Sequence, residues 1–162
     1  MKEGYEAYKK YLSIKLHFTK DKYDFFTRCQ TPELATEITL MPIDQVGVDA
    51  AIIFSDILVV LQAMNIEVEM RDGIGPYIPQ PINSKAALDQ VILPDVEEHL
   101  GYVFEAVRMT KDVLIDRVPL IGFAGAPWTI MTYMAEGGSS RDFAKTRGWA
   151  WQYKKETDAL LD

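Results

Sequence analysis

Residues 48–58 constrain the fold more than any other stretch. The run Val-Asp-Ala-Ala-Ile-Ile-Phe-Ser-Asp-Ile-Leu is apolar over most of its length and is interrupted near its end by a carboxylate, Asp56. A continuous, isoleucine-rich run predicts a strand, Val48 to Phe54, buried on both faces as in parallel sheets. A carboxylate past the C-terminal end of such a strand stands where α/β folds place their ligands. Asp56 therefore has two readings. It caps the following helix or orients a backbone turn, or it stands at the mouth of an apolar pocket, accepting N–H donors or stabilising a developing cation. One other stretch, Val118 to Glu136, has the same order of strand, glycine-rich turn and helix.

The flanking sequence supplies the helices. Thr31-Pro32-Glu33 opens one, with Thr31 as cap, Pro32 at the first helical position and Glu33 complementing the dipole. Leu34, Ile38 and Met41 follow at helical spacing, Pro42 is expected to kink or end the regular part, and Gly47 is the stop. After Asp56, Ile57 to Leu61 stay apolar and Glu67 to Met70 alternate beside Asp72-Gly73, which suggests a small hairpin. Residues 73–83 hold three prolines and predict an irregular loop; Ser84 caps a short helix through Leu88. The longest helix is expected from about Asp95 to Ile115, with Leu100, Val103, Phe104 and Val107 on one face. A strand from Leu120 to Phe123 follows Pro119, and a last helix starts near Ser140 and carries Phe143, Ala150 and Leu161. Tyr5, Tyr8, Leu12 and Leu16 are also roughly helical in spacing. Strands alternating with helices imply an α/β fold with a mostly parallel sheet.

Charge and composition narrow the function classes. A net charge of −7 argues against nucleic acid and anionic membranes as partners. No stretch approaches the roughly 18 uninterrupted apolar residues of a membrane span, and the polar N-terminus predicts no secretory signal. A single cysteine, Cys29, excludes an internal disulfide and suits the cytoplasm. His17 and His99 lack a partner at metal-ligand spacing, so both read as surface or structural, and Cys29 has neither a nearby histidine nor a second cysteine. Asp95, Glu97 and Glu98 read as a solvated helix start.

The second stretch also leaves alternatives open. Gly122 to Trp128 is not a phosphate loop, because the Lys-Ser/Thr ending is absent and Pro127 removes an amide. It marks tight strand-to-helix packing or a close approach to a ligand. Tyr133 lies on an apolar helix face, where a tyrosine is usually core with its hydroxyl satisfied. Glu136 to Ser140 is a flexible loop or a lid.

Three segments together resemble the uroporphyrinogen decarboxylase family: residues 23–34 (Tyr-Asp-Phe-Phe-Thr-Arg-Cys-Gln-Thr-Pro-Glu-Leu), residues 48–58, and Gly122 to Gly138, which reads GFAGAPWTIMTYMAEGG. The resemblance implies a portion of a (β/α)8 TIM barrel over residues 23–162, with residues 1–22 as a segment without family match. It implies cofactor-free decarboxylation of the four acetate side chains of uroporphyrinogen III to give coproporphyrinogen III, on the route to haem, in a cytoplasmic homodimer without metal. Asp56 matches the family aspartate that accepts hydrogen bonds from the pyrrole N–H groups, and Tyr133 the tyrosine that contacts substrate. Phe123, Phe54 and Ile52 match apolar positions lining the pocket, and Lys20 falls near a basic, carboxylate-binding position. An arginine-rich family segment that precedes the match has no counterpart in residues 1–22. That departure implies a partial or truncated member. It leaves a second reading, an inactive fragment or interaction module that pairs with a full-length subunit. A third is a cobalamin- or thiol-dependent methyltransferase relative, whose zinc site would have to draw on Cys29, His17 and His99.

Overall fold

The computed structural model describes residues 21–161. The helical spacing of Tyr5 to Leu16, His17 and Lys20 lie outside the described residues. The described residues divide into two compact units, one formed by residues 21–56 with Leu100–Phe123 and the other by Ile57–His99 with residues 124–161.

The first unit contains helix α1 (Phe25–Gln30), helix α2 (Pro32–Val46), strand β1 (Ala51–Ile52), most of helix α5 (Val96–Leu114) and strand β4 (Leu120–Ile121). Strands β1 and β4 pair in parallel, Ala51 beside Leu120 and Ile52 beside Ile121. The bonds Ala51 N–H to Pro119 O (2.9 Å) and Ile53 N–H to Ile121 O (3.1 Å) flank that pairing. One face of this ribbon is packed: Ile53 sits in a cluster with Ala35 and Ala106, and Ala51 in another with Ile43 and Leu114. The other face is bare, with Ile52 62% exposed. The expectation of a strand buried on both faces fails there. Alternation sends Ile52 and Ile121 away from the helices, and in a (β/α)8 barrel that side is the interior, filled by inward side chains of all the strands.

Helix α2 runs through Pro42 without ending and stops at Gly47, whose left-handed backbone (φ 72°) closes the cap. Burial of Met41 and Ile43 on either side of the proline holds the helix where its missing N–H would weaken it. Thr31 makes no side-chain cap bond. Its hydroxyl instead donates to Thr27 O (2.7 Å) at the end of α1, a short helix capped by the Asp24 carboxylate. On α5 the buried stripe is Ala106, Thr110 and Leu114, while Phe104 is exposed. Small side chains let α5 approach α2 closely, where Thr110 Oγ1 meets Thr36 Oγ1 at 3.3 Å.

The second unit holds helix α3 (Val59–Ala63), an antiparallel hairpin of β2 (Glu69–Arg71) and β3 (Gly75–Tyr77), helix α4 (Lys85–Leu88), and helices α6 (Pro127–Glu136), α7 (Ala144–Gln152) and α8 (Lys154–Leu161). The hairpin appears where Asp72-Gly73 suggested a turn, and Ser84 Oγ caps α4 by accepting from Ala87 N (3.2 Å). The Arg71 guanidinium lies 3.4 Å from the Tyr77 ring centre. The single last helix expected from Ser140 is two helices, broken at Tyr153 (φ −123°, ψ 58°), with α7 starting only at Ala144. Helices α6, α7 and α8 pack on one another.

Candidate functional site

The first unit gathers four of the six candidate residues. Phe54 is held at the end of β1 by Thr39, whose hydroxyl accepts from Phe54 N–H (2.8 Å) and donates to Ala35 O (2.7 Å). Beyond that clamp the backbone leaves the sheet, and Asp56 follows, half-buried. The N-cap position of α3 falls at Leu58 rather than at Asp56. Ile52 and Ile121 share the bare face of the strand pair, whereas Phe54, past the end of β1, packs against the cluster of Ala35, Ile53 and Ala106. Ile52, Ile121 and Phe123 are all exposed, so β1 and β4 present an apolar wall that leads to Asp56.

Behind this wall lies a group that sequence reasoning missed. Arg28 is only 7% exposed, and its Nε donates to Asp24 O at 3.3 Å. The guanidinium stands 5.6 Å from the Phe25 ring centre and 5.9 Å from that of Phe54, and the two rings meet edge to face at 6.0 Å. Next to it Cys29 is 1% exposed. Burial pushes its thiol up to about 12, the negative charge of Asp56 adds to that, and Arg28 partly opposes it. A thiol so disfavoured as thiolate is structural. Burial likewise raises the Tyr102 phenol, with Cys29 adding to the rise and a hydrogen bond involving Gln30 opposing it. Arg28 is visible in the sequence only as one cation among apolar residues, with nothing to signal its burial.

Tyr133 belongs to the second unit, half-buried on α6. The glycine-rich turn before α6 shows the packing alternative directly: a Cβ on Gly125 would lie 2.5 Å from Ile130 Cδ1 and 3.3 Å from Ile57 Cβ. The segment after α6 is tied down. Ile78 N–H donates to Gly137 O (2.9 Å), Gly138 bridges to Tyr77, and the Glu136 carboxylate accepts from Thr146 N (2.8 Å) and Thr146 Oγ1 (2.9 Å). Tyr133 opens onto a recess that also includes Trp128 and Phe143. Neither of those two stood out in the sequence.

His99 contacts Asp95 O through Nδ1 (2.9 Å), and Asp95 caps α5 by accepting from Glu98 N (2.9 Å); both play the structural parts expected of them. Among the described residues no three His, Cys, Asp or Glu side chains cluster as metal ligands. No described helix is long and apolar enough to cross a membrane.

Comparison with known proteins decides the family. The model of the uroporphyrinogen decarboxylase (URO-D) family matches residues 10–162. The chain belongs to the uroporphyrinogen decarboxylase family. It is 67% identical over 142 residues to the uroporphyrinogen decarboxylase of Christiangramia forsetii, a match covering 88% of this chain and 42% of the relative. With the uroporphyrinogen decarboxylase of Flavobacterium johnsoniae it shares 56% identity over the same shares of each chain. The chain thus spans 42% of the length of these relatives. A solved methyltransferase from Methanosarcina mazei superposes with a TM-score of 0.61 at 19% identity, over 82% of this chain and 39% of that one. The fold is the α/β portion of a (β/α)8 barrel, as the family and the parallel β1–β4 pair require.

Proposed function

We propose that this chain supplies the pyrrole-binding part of a uroporphyrinogen decarboxylase, which converts the four acetate side chains of uroporphyrinogen III to methyls and yields coproporphyrinogen III without a cofactor. The observation that carries the reading is the position of Asp56, half-buried and just past β1 at the end of an apolar wall. The 67% identity to a curated decarboxylase supports it.

Loss of carbon dioxide from an acetate leaves an electron pair that needs a sink. Protonation of the pyrrole carbon next to the acetate-bearing carbon makes the ring that sink. The C–CO2 bond then breaks into the cationic ring, the exocyclic carbon takes up a proton, and the ring proton is released. Each cycle consumes one proton and forms one methyl and one carbon dioxide. Asp56 accepts hydrogen bonds from the pyrrole N–H groups and stabilises the cation as it forms. Tyr133 contacts the substrate, Ile52, Phe54 and Phe123 form the apolar side of its site, and Lys20 binds a carboxylate. The active species is a cytoplasmic homodimer.

The test is product analysis. The full-length polypeptide carrying these residues, given uroporphyrinogen III under anaerobic conditions with no added cofactor, should form coproporphyrinogen III and four equivalents of carbon dioxide. No conversion by a folded preparation rejects the reading.

A further inference from the structure

The recess beside Tyr133 contains a feature that neither the fold nor the decarboxylation chemistry explains. It encloses about 280 Å³ and is walled by Trp128, Thr132 and Tyr133 from α6 and by Ser139, Ser140 and Phe143 from the segment before α7. Phe143 has a left-handed backbone, φ 53° and ψ 36°. A bulky residue is a genuine outlier there, and such conformations persist only where surrounding contacts impose them. Here side-chain hydrogen bonds impose it. Ser140 Oγ accepts from Phe143 N–H (3.1 Å) and donates to Asp142 Oδ1 (3.3 Å), which also accepts from Ala144 N–H (3.3 Å). The ring gains little core burial in return, being 40% exposed, and Trp128 in the same recess is 42% exposed.

We propose that Phe143 and Trp128 form an aromatic clamp that holds one pyrrole ring of the substrate next to the Tyr133 hydroxyl, which makes Phe143 a substrate-binding residue. The proposal rests on the decarboxylase reading. At about 280 Å³ the recess is just smaller than the roughly 300–1,000 Å³ of whole-ligand sites, so it takes a single ring with its side chains and not a whole macrocycle. Two flat aromatic walls suit the face of a pyrrole. Tyr133 and Ser139 line the same recess, and their hydroxyls are donors of the kind a carboxylate on that ring accepts from.

The test separates the ring from the backbone. Phe143→Gly and Phe143→Asn remove the ring and both residues tolerate the left-handed conformation, whereas Phe143→Tyr keeps the ring. In the full-length polypeptide, assayed anaerobically with uroporphyrinogen III, the Gly and Asn variants should raise KM at least tenfold while Tm stays level or rises. Phe143→Tyr should stay within twofold of wild type, and Trp128→Leu should raise KM independently. Unchanged KM in the Gly and Asn variants overturns the clamp while leaving the decarboxylase reading intact. A folded wild type that neither binds nor converts the substrate removes the decarboxylase reading, and the clamp with it.

Discussion

Thr39 shows how one small side chain positions a site. Its hydroxyl takes the Phe54 N–H just where the backbone leaves β1 for Asp56. Thr39→Val should leave that half-buried N–H without its acceptor and destabilise the protein by about 1–3 kcal/mol, measured by urea unfolding, with Thr39→Ser close to wild type. Cys29 makes a second prediction at this scale. Its thiol keeps its proton in the folded chain to about pH 12, whereas in the unfolded chain it ionises near 9.0. The unfolded state therefore binds fewer protons between those values, and stability falls as pH rises through them. Below pH 9 this contribution is fully present. The denaturation midpoint should drop on the alkaline side less steeply in Cys29→Ala than in wild type, and the folded thiol should resist alkylation at pH 8. Asp56 stands out in the sequence as a candidate because a carboxylate that closes an apolar run is chemically conspicuous, and its half-burial just past β1 is what the structure adds. Arg28 and Phe143 do not stand out, since neither the burial of one cation nor a positive φ leaves a mark in residue type.

At the scale of elements, periodicity revealed most helices but misplaced what only tertiary packing decides. Helix α2 passes Pro42 because its flanking residues are buried, and β1 has one bare face because the described sheet has two strands. The stripe on α5 uses Ala106 and Thr110, not the bulkier Phe104, since close approach to α2 rewards small side chains. The turn before α6 makes the same demand at Gly125. Gly125→Ala should push Ile130 off its place and cost about 1–3 kcal/mol by overpacking, read as a lower unfolding midpoint. No such loss is expected at Gly122, where an added Cβ meets nothing within 4 Å.

At the scale of the whole molecule, the parallel β1–β4 pair with its bare inner face is the local form of a barrel wall, and family membership accounts for it. Four candidate residues lie in one compact unit and Tyr133 in the other. In the proposed reaction the Asp56 carboxylate is the acceptor for the pyrrole N–H groups and the stabiliser of the ring cation. The most direct measurement is the anaerobic turnover of uroporphyrinogen III by Asp56→Asn in the full-length polypeptide. Asparagine keeps the shape and removes the charge, so the unfolding midpoint should hold while kcat falls by about 100-fold or more. A well-folded Asp56→Asn that turns over at the wild-type rate would contradict the account.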